Sequence, residues 1–386
     1  MPWKEQQVMN QRVEFVIRAM RTENFRDLCR EYGISPKTGY KWKERFVAHG
    51  KSGMAEVSRR PKSSPGGLEE AVVCEMVRLK QAHPRWGPRK LRWLYGRLHA
   101  PVPSESSFKR VLARAGLTEP RRVRPRQQSG RLHSGRRGQS ANEVWTVDFK
   151  GWWHGGSGRR CEPLTVRDEF SRYVLELRLL ADAKTQSVQA CFERLFERHG
   201  LPEAIRSDNG VPFASVQGLL GLTRLSAWWV ALGIDLERGR PGHPQDNGGH
   251  ERLHLDVSRE LEERRVEAQA VLDDWRRSFN EERPHEALGM RCPAEVYERS
   301  LRDYEQSPED LVYEGMEQRK VHRMGHISWC GQTVFLSVAL QGWSVGLEPA
   351  AAGFWHVWFG RLLLGRLDTS TASLQRATNQ EGTLEP

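Results

Sequence analysis

The chain has 386 residues, too many for one typical core, so about two to four domains are expected. Lysine and arginine number 60 against 49 acidic residues, and the net charge of +11 favours a polyanionic partner, nucleic acid above all. A membrane span is excluded by the best apolar run, 219–236, which Arg224 and Asp235 interrupt. The N-terminus lacks a signal-peptide layout, and the six cysteines are scattered without a CxxC pair. A reduced, cytoplasmic protein without disulfides or a zinc knuckle is expected.

Residues 1–57 read as helices. Val13, Val16, Ile17 and Met20 make one apolar face, and Phe25, Leu28 and Cys29 begin another. Tyr32-Gly33-Ile34-Ser35-Pro36 has the punctuation of a helix-turn-helix corner: Gly33 ends one helix, Ser35 caps the next and Pro36 opens it. The helix that follows carries Lys37, Thr38, Tyr40, Lys41 and Lys43, a basic surface suited to a DNA major groove. The plain alternative is a solvated surface helix.

A basic Pro/Gly/Ser linker covers 58–67, and a second three-helix unit covers 68–118. Val72, Val73, Met76 and Val77 are its expected inner face. Its last helix, capped by Ser104, presents Ser106, Ser107, Lys109 and Arg110. Two readings stay open: a second, winged-helix-like DNA reader, or a structural spacer. Residues 119–141 form an Arg-rich linker with Arg121, Arg122, Arg124, Arg126, Arg131, Arg136 and Arg137. No acid lies between 120 and 141, which suits a tether lying along phosphates.

From 142 to 300 the pattern turns α/β. Strands are expected at 143–149, 161–168, 172–180, 203–208 and 234–238. Helices are expected over 183–199, 219–232 and 266–280, with another starting near Glu251. Residues 308–370 alternate in short strands and suggest a small Trp-rich β-barrel, and a disordered tail is expected over 371–386.

Three carboxylates stand out. Asp148 lies inside the strand-like run Val144–Phe149, where aspartate is disfavoured unless it has a partner. Asp208 ends another strand-like run, just before Asn209-Gly210. Glu251 opens a helix after Asp246-Asn247-Gly248, and its Leu253, Val257 and Leu261 stripe points away from it. Either Asp-Asn-Gly alone is an ordinary turn. Together, the three suit Mg²⁺ or Mn²⁺, two ions per site, clamping a phosphodiester for in-line displacement.

The stretches Trp145–Lys150, Arg206–Phe213, Arg240–Arg252 and Asn280–Gly289 resemble the DDE transposases of bacterial insertion sequences, in the retroviral-integrase superfamily. The insertion sequence 481 group is the most similar, Gly221–Trp229 included. The resemblance implies an RNase H-like core, with Asp148, Asp208 and Glu251 as the catalytic, metal-holding triad. It implies a nucleoid-associated enzyme that nicks double-stranded DNA at the ends of a mobile element. The 3′-OH would then be joined to target DNA, by a homo-oligomer paired on two ends. Where relatives carry a basic contact two helical turns after the glutamate, this chain offers Arg259 beside Ser258. A catalytically silent descendant that only occupies DNA sites is the alternative, and a simple nuclease leaves the helix-turn-helix units unexplained.

Overall fold

The computed structural model describes residues 8–56, 67–118, 136–239, 248–306, 308–351 and 353–377. They divide into two compact units, one up to Val73 and one from Cys74 onward.

The first unit contains helices α1 (Val8–Ala19), α2 (Phe25–Glu31) and α3 (Pro36–His49). The expected corner is present. Gly33 takes the left-handed conformation (φ 64°), and the Ser35 hydroxyl accepts the Thr38 amide at 3.2 Å. Gly39 faces Phe15 and Cys29 so closely that a side chain there would collide with both. The buried face of α1 differs from the expected one. It is Phe15, Val16 and Ala19, whereas Ile17 and Met20 are 44% and 46% exposed. Burying the Phe15 ring removes more apolar area than Ile17 would, so the helix turns to bring Phe15 inward.

Helix α4 (Glu70–Ala82) runs across the boundary between the units, and α5 (Pro88–Leu98) and α6 (Glu105–Arg114) lie in the second unit. Met76, Leu79, Leu91, Tyr95, Phe108 and Leu112 are their buried residues. Val72, Val73 and Val77, expected inside, are only partly buried. Arg85, Arg89 and Arg97 pair with Glu263, Glu286 and Glu295 of the region that follows.

That region holds strands β1 (Val144–Phe149), β2 (Trp153–His154), β3 (Arg160–Cys161), β4 (Pro163–Asp168), β5 (Val174–Leu179), β6 (Ala204–Ser207) and β7 (Asp235–Arg238). Five of them form one mixed sheet in the order β5-β4-β1-β6-β7. β1 is antiparallel to β4 and parallel to β6, and β6 is parallel to β7. Helices α7 (Thr185–His199) and α8 (Arg224–Ala231) enclose one core with Trp145, Val147, Leu164 and Ile205. Helices α9 (Gly248–Val257) and α10 (Gln269–Glu281) enclose a second with Val174 and Leu177. The long helix expected over 219–232 is two pieces. Leu220 and Gly221 take positive φ (49° and 70°), and Thr223 starts α8 afresh by a capping box with Ser226.

The C-terminal strands are β8 (Glu317–Lys320), β9 (His326–Trp329), β10 (Gln332–Phe335), β11 (Ser344–Pro349), β12 (Phe354–Phe359), β13 (Leu362–Asp368) and β14 (Ser373–Arg376). The expected barrel is instead an open antiparallel sheet, β14-β13-β12-β11-β8, with β9 and β10 as a separate hairpin. Alternation reports one buried face per strand and does not say whether the last strand bonds to the first. Here β8 and β14 do not pair. Their buried face shares a core with Ala227 and Ala231 of α8. β14 also lies within the stretch expected to be a disordered tail, whereas 378–386 lie outside the described residues.

Candidate active site

β1 and β6 are adjacent and parallel, with Val144 opposite Ala204, Trp145 opposite Ile205 and Thr146 opposite Arg206. Asp148 lies two residues past the last paired residue of β1, and Asp208 lies just past the end of β6 at Ser207. The two acids are close enough for the Asp208 charge to act on Asp148. Burial, and next the Asp208 charge, push the Asp148 carboxyl up to about 7. Two like charges this close call for a proton or a cation between them. The main chain lets Asp208 fold back, because a side chain at Gly210 would meet its carboxylate.

α9 is held to β1 and β4 by two histidines. His250 is fully buried between Thr146 and Thr165, with ring nitrogens 2.8 Å and 2.5 Å from their hydroxyls. His254 reaches Thr165 at 2.9 Å, and its other nitrogen lies 3.9 Å from Asp148. Burial drives both imidazoles below their ordinary pKa, His254 to about 4 with help from Lys150. Neutral histidines therefore line the helix beneath Asp148.

Glu251 follows His250 and is exposed. Among the described residues, no three acidic, His or Cys side chains converge into a metal-binding group. Asp148 and Asp208 come together, and Glu251 stands one helical flank away. As oxygen ligands, the two aspartates suit a hard divalent cation.

Thr146, Thr165, His250 and His254 were missed from sequence. The legible signal was the spacing of His250 and His254, four apart and flanking Glu251, which puts both on one helical face.

The expected DNA-contacting side chains divide. Lys37 and Lys41 are exposed, Thr38 is tied to the Ser35 hydroxyl, and Tyr40 stacks on Phe25. Lys43 instead donates to the Ala19 carbonyl at 3.3 Å, closing the end of α1. Ser106 is exposed, Ser107 caps α6 with Ser104, Lys109 pairs with Glu105, and Arg110 folds onto Ser106 and Ser107. Arg136 is committed to Glu203 and Asp235, and Arg137 is exposed. Arg121, Arg122, Arg124, Arg126 and Arg131 lie outside the described residues. Arg259 is exposed and borders a cleft of about 520 Å³ with Arg85, Trp86 and Trp275.

Family models match along the chain. A helix-turn-helix domain matches residues 11–62, a homeodomain-like domain 38–112, and integrase core domains 138–244 and 232–293. The IS481 family transposase C-terminal domain matches 316–375. Together with the insertion-element relatives, these matches support an IS481-like DDE transposase. Its five-stranded mixed sheet is accordingly the RNase H-like integrase core, with helix-turn-helix DNA-binding units ahead of it.

Relatives of this transposase include an uncharacterized 31.7 kDa protein of insertion element IS407 from Burkholderia multivorans. It is 29% identical over 249 residues, 60% of this chain and 83% of that protein. An uncharacterized 39.2 kDa protein of insertion element IS476 from Xanthomonas euvesicatoria is 26% identical, over 63% of this chain and 69% of that protein. Among solved structures, the HTLV-2 integrase catalytic core domain in complex with magnesium aligns over 42% of this chain and 100% of that chain. It does so at 14% identity and a TM-score of 0.34.

Proposed function

We propose that this transposase nicks DNA at the ends of its mobile element and joins the freed 3′-OH to target DNA, with Asp148, Asp208 and Glu251 as metal-holding catalytic residues. The observation that carries the reading is the closeness of Asp148 and Asp208 at the carboxyl ends of parallel β1 and β6, with α9 pinned by His250 to Thr146 and Thr165. Divalent cations, two per site, would supply nucleophile activation and stabilise the leaving oxygen. The two aspartates would supply carboxylate oxygens to those cations. The histidines of α9 tie Glu251's helix to the strand that bears Asp148. Lys37, Lys41, Ser106 and Arg137, with the arginines of 119–135, would bind DNA backbone and base edges. Pairing two element ends would require a homo-oligomer.

The experiment is strand transfer from a pre-cut element end in Mg²⁺ or Mn²⁺, with D148N, D208N and E251Q. Each variant is expected to lose nicking and joining while keeping end binding. A wild-type chain that binds ends and joins none would be the silent, site-occupying descendant. A single variant with near-wild-type joining would remove that residue from the triad.

A further inference from the structure

On the same face as Asp148, toward the start of α9, lies a second cleft of about 520 Å³. Its floor is Arg167 of β4. In the β1–β4 ladder Asp148 is opposite Thr165 and Thr146 is opposite Arg167, so the cleft floor lies two residues along the sheet from the aspartate. That is about 7 Å at strand rise, or about two phosphate steps along one DNA strand measured on the helix axis.

The cleft has more buried positive charge than its acids offset. Arg167 is only 6% exposed, yet its Nε has no partner, and among the described residues its guanidinium donates only to the Glu169 carbonyl, at 3.3 Å. Half-buried Arg172 and Lys90 border the same space and make no ion pair among the described residues. The acids that reach the cleft are engaged already: Asp256 with Arg283 at 2.9 Å, and Glu286 with Arg89 at 3.2 Å. Burial, reinforced by Arg283, lowers the Lys90 ammonium to about 8, and burial with Lys90 and Arg283 pushes His285 down to about 2. His285 is thus neutral, and its buried Nε2 is unpartnered as well. Gly248 and Gly249, the first residues of α9, form the remaining wall. A side chain at Gly249 would collide with the Arg167 guanidinium, so glycine lets the helix start sit directly on that charge. A helix N-terminus and a buried, unsatisfied arginine facing one polar cleft are complementary to an anion.

We propose that this cleft seats a DNA backbone phosphate one or two steps along the strand from the reacting phosphate, held by Arg167, Arg172, Lys90 and the first amides of α9. The assignment rests on the DNA strand-transfer reading and deepens it. Lys90 belongs to α5, so the seat also joins the second helical unit to the catalytic face.

The test uses the full chain with K90Q and R172Q, which lie at the half-buried rim, and G249A as a third variant. Thermal melting is followed with inorganic pyrophosphate against sodium chloride at equal ionic strength. Pyrophosphate is expected to raise the wild-type Tm and to lose that effect in all three variants. Binding is then measured to element-end duplexes in which one phosphate at a time is a neutral methylphosphonate. The wild type is expected to weaken at one position near the cleavage point. K90Q and R172Q are expected to be indifferent at that position alone, and their log–log salt slope should fall by about 0.9 for each phosphate no longer neutralised. An equal pyrophosphate response in wild type and variants overturns the site. A pyrophosphate response without any coupled DNA position makes it a free-anion site and overturns the DNA assignment. Strand transfer is read separately. Lost joining with the phosphate effects intact would remove the enzymatic reading and keep the seat, and intact joining without those effects would do the reverse.

Discussion

The Thr165 hydroxyl donates to the Asp148 carbonyl at 2.8 Å while its oxygen also meets the Nε2 atoms of His250 and His254. A hydroxyl has one proton and two lone pairs. Having given its proton to the carbonyl, Thr165 must accept from both rings, so both carry hydrogen on Nε2. His250 Nδ1 then faces the Thr146 hydroxyl at 2.8 Å, a hydroxyl that also lies 3.3 Å from the Arg167 carbonyl, and His254 turns an unprotonated Nδ1 toward the Asp148 carboxyl. One threonine thereby sets two tautomers and joins the strand of Asp148 to the helix of Glu251.

Replacing it isosterically tests this. T165V keeps the volume and leaves two buried ring N–H groups without acceptors, at about 1–3 kcal/mol each. The variant should lose stability in urea melts and lose joining more steeply than DNA binding. A variant with wild-type melting and joining would show that the network positions nothing.

The Asp148 pKa sets a pH dependence. A carboxyl raised from 3.8 to about 7 binds its proton more tightly folded than unfolded. Metal-free stability therefore falls as pH rises from about 4 to about 7, and that contribution is flat above. A cation must displace the same proton, so Mn²⁺ affinity should climb through that window and level off above it. Melting curves from pH 5 to 9, in EDTA and in Mn²⁺, read both slopes. D148N should flatten the metal-free slope, and an unchanged slope in D148N would assign it to another group.

The strands of the core were legible because they alternate or run apolar between turn residues, and Asp148 was legible because a carboxylate among Trp, Val and Phe needs a reason. Asp208 was readable as a strand-end acid, but its closeness to Asp148 comes from the parallel pairing of β1 with β6, which is a tertiary fact. The break at Leu220–Gly221 was hidden by apolar composition, although Thr223 and Ser226 carried the local capping signal. The role of His250 required knowing that Thr146 and Thr165 face each other's strand. The seat around Arg167 draws on β4, the β4–β5 turn, α5, α9 and the segment after α10, so no local window contains it.

Arg206 gives a stability prediction independent of catalysis. It is 2% exposed on β6 and pairs with Glu169 at 2.8 Å and Glu237 at 2.6 Å, and it also donates to the Arg136 carbonyl. Removing one partner of a buried ionic group strands the others, at roughly 3–5 kcal/mol. R206M should lower the urea midpoint accordingly, and loss of less than about 1 kcal/mol would mean that water already screens both glutamates.

The three lysines of α3 should separate into two behaviours. Lys37 and Lys41 are exposed near the start of the helix after the corner, where they could reach phosphates or base edges, and Lys41 also lies 5.5 Å from the Trp42 ring centre. Lys43 is turned inward, donating to the last carbonyl of α1 at 3.3 Å and lying 5.8 Å from the Phe25 ring centre. A cation at a helix C-terminus is favourable, and a second attraction comes from the aromatic face. K43A should therefore lower the stability of the first unit by about 1 kcal/mol and change the salt dependence of DNA binding little. K37A should leave melting unchanged, and K41A, which loses an exposed contact on Trp42, should lower it less than K43A. Each should weaken element-end binding by about 1–3 kcal/mol if its side chain contacts a base, with relaxed preference at that base pair. If it contacts phosphate, the loss should be uniform across sequences and the log–log salt slope should drop by about 0.9. Binding of the full-length variants to element-end and scrambled duplexes at several salt concentrations separates the cases. A K43A variant that binds DNA as poorly as K41A, with wild-type melting, would return Lys43 to the recognition surface.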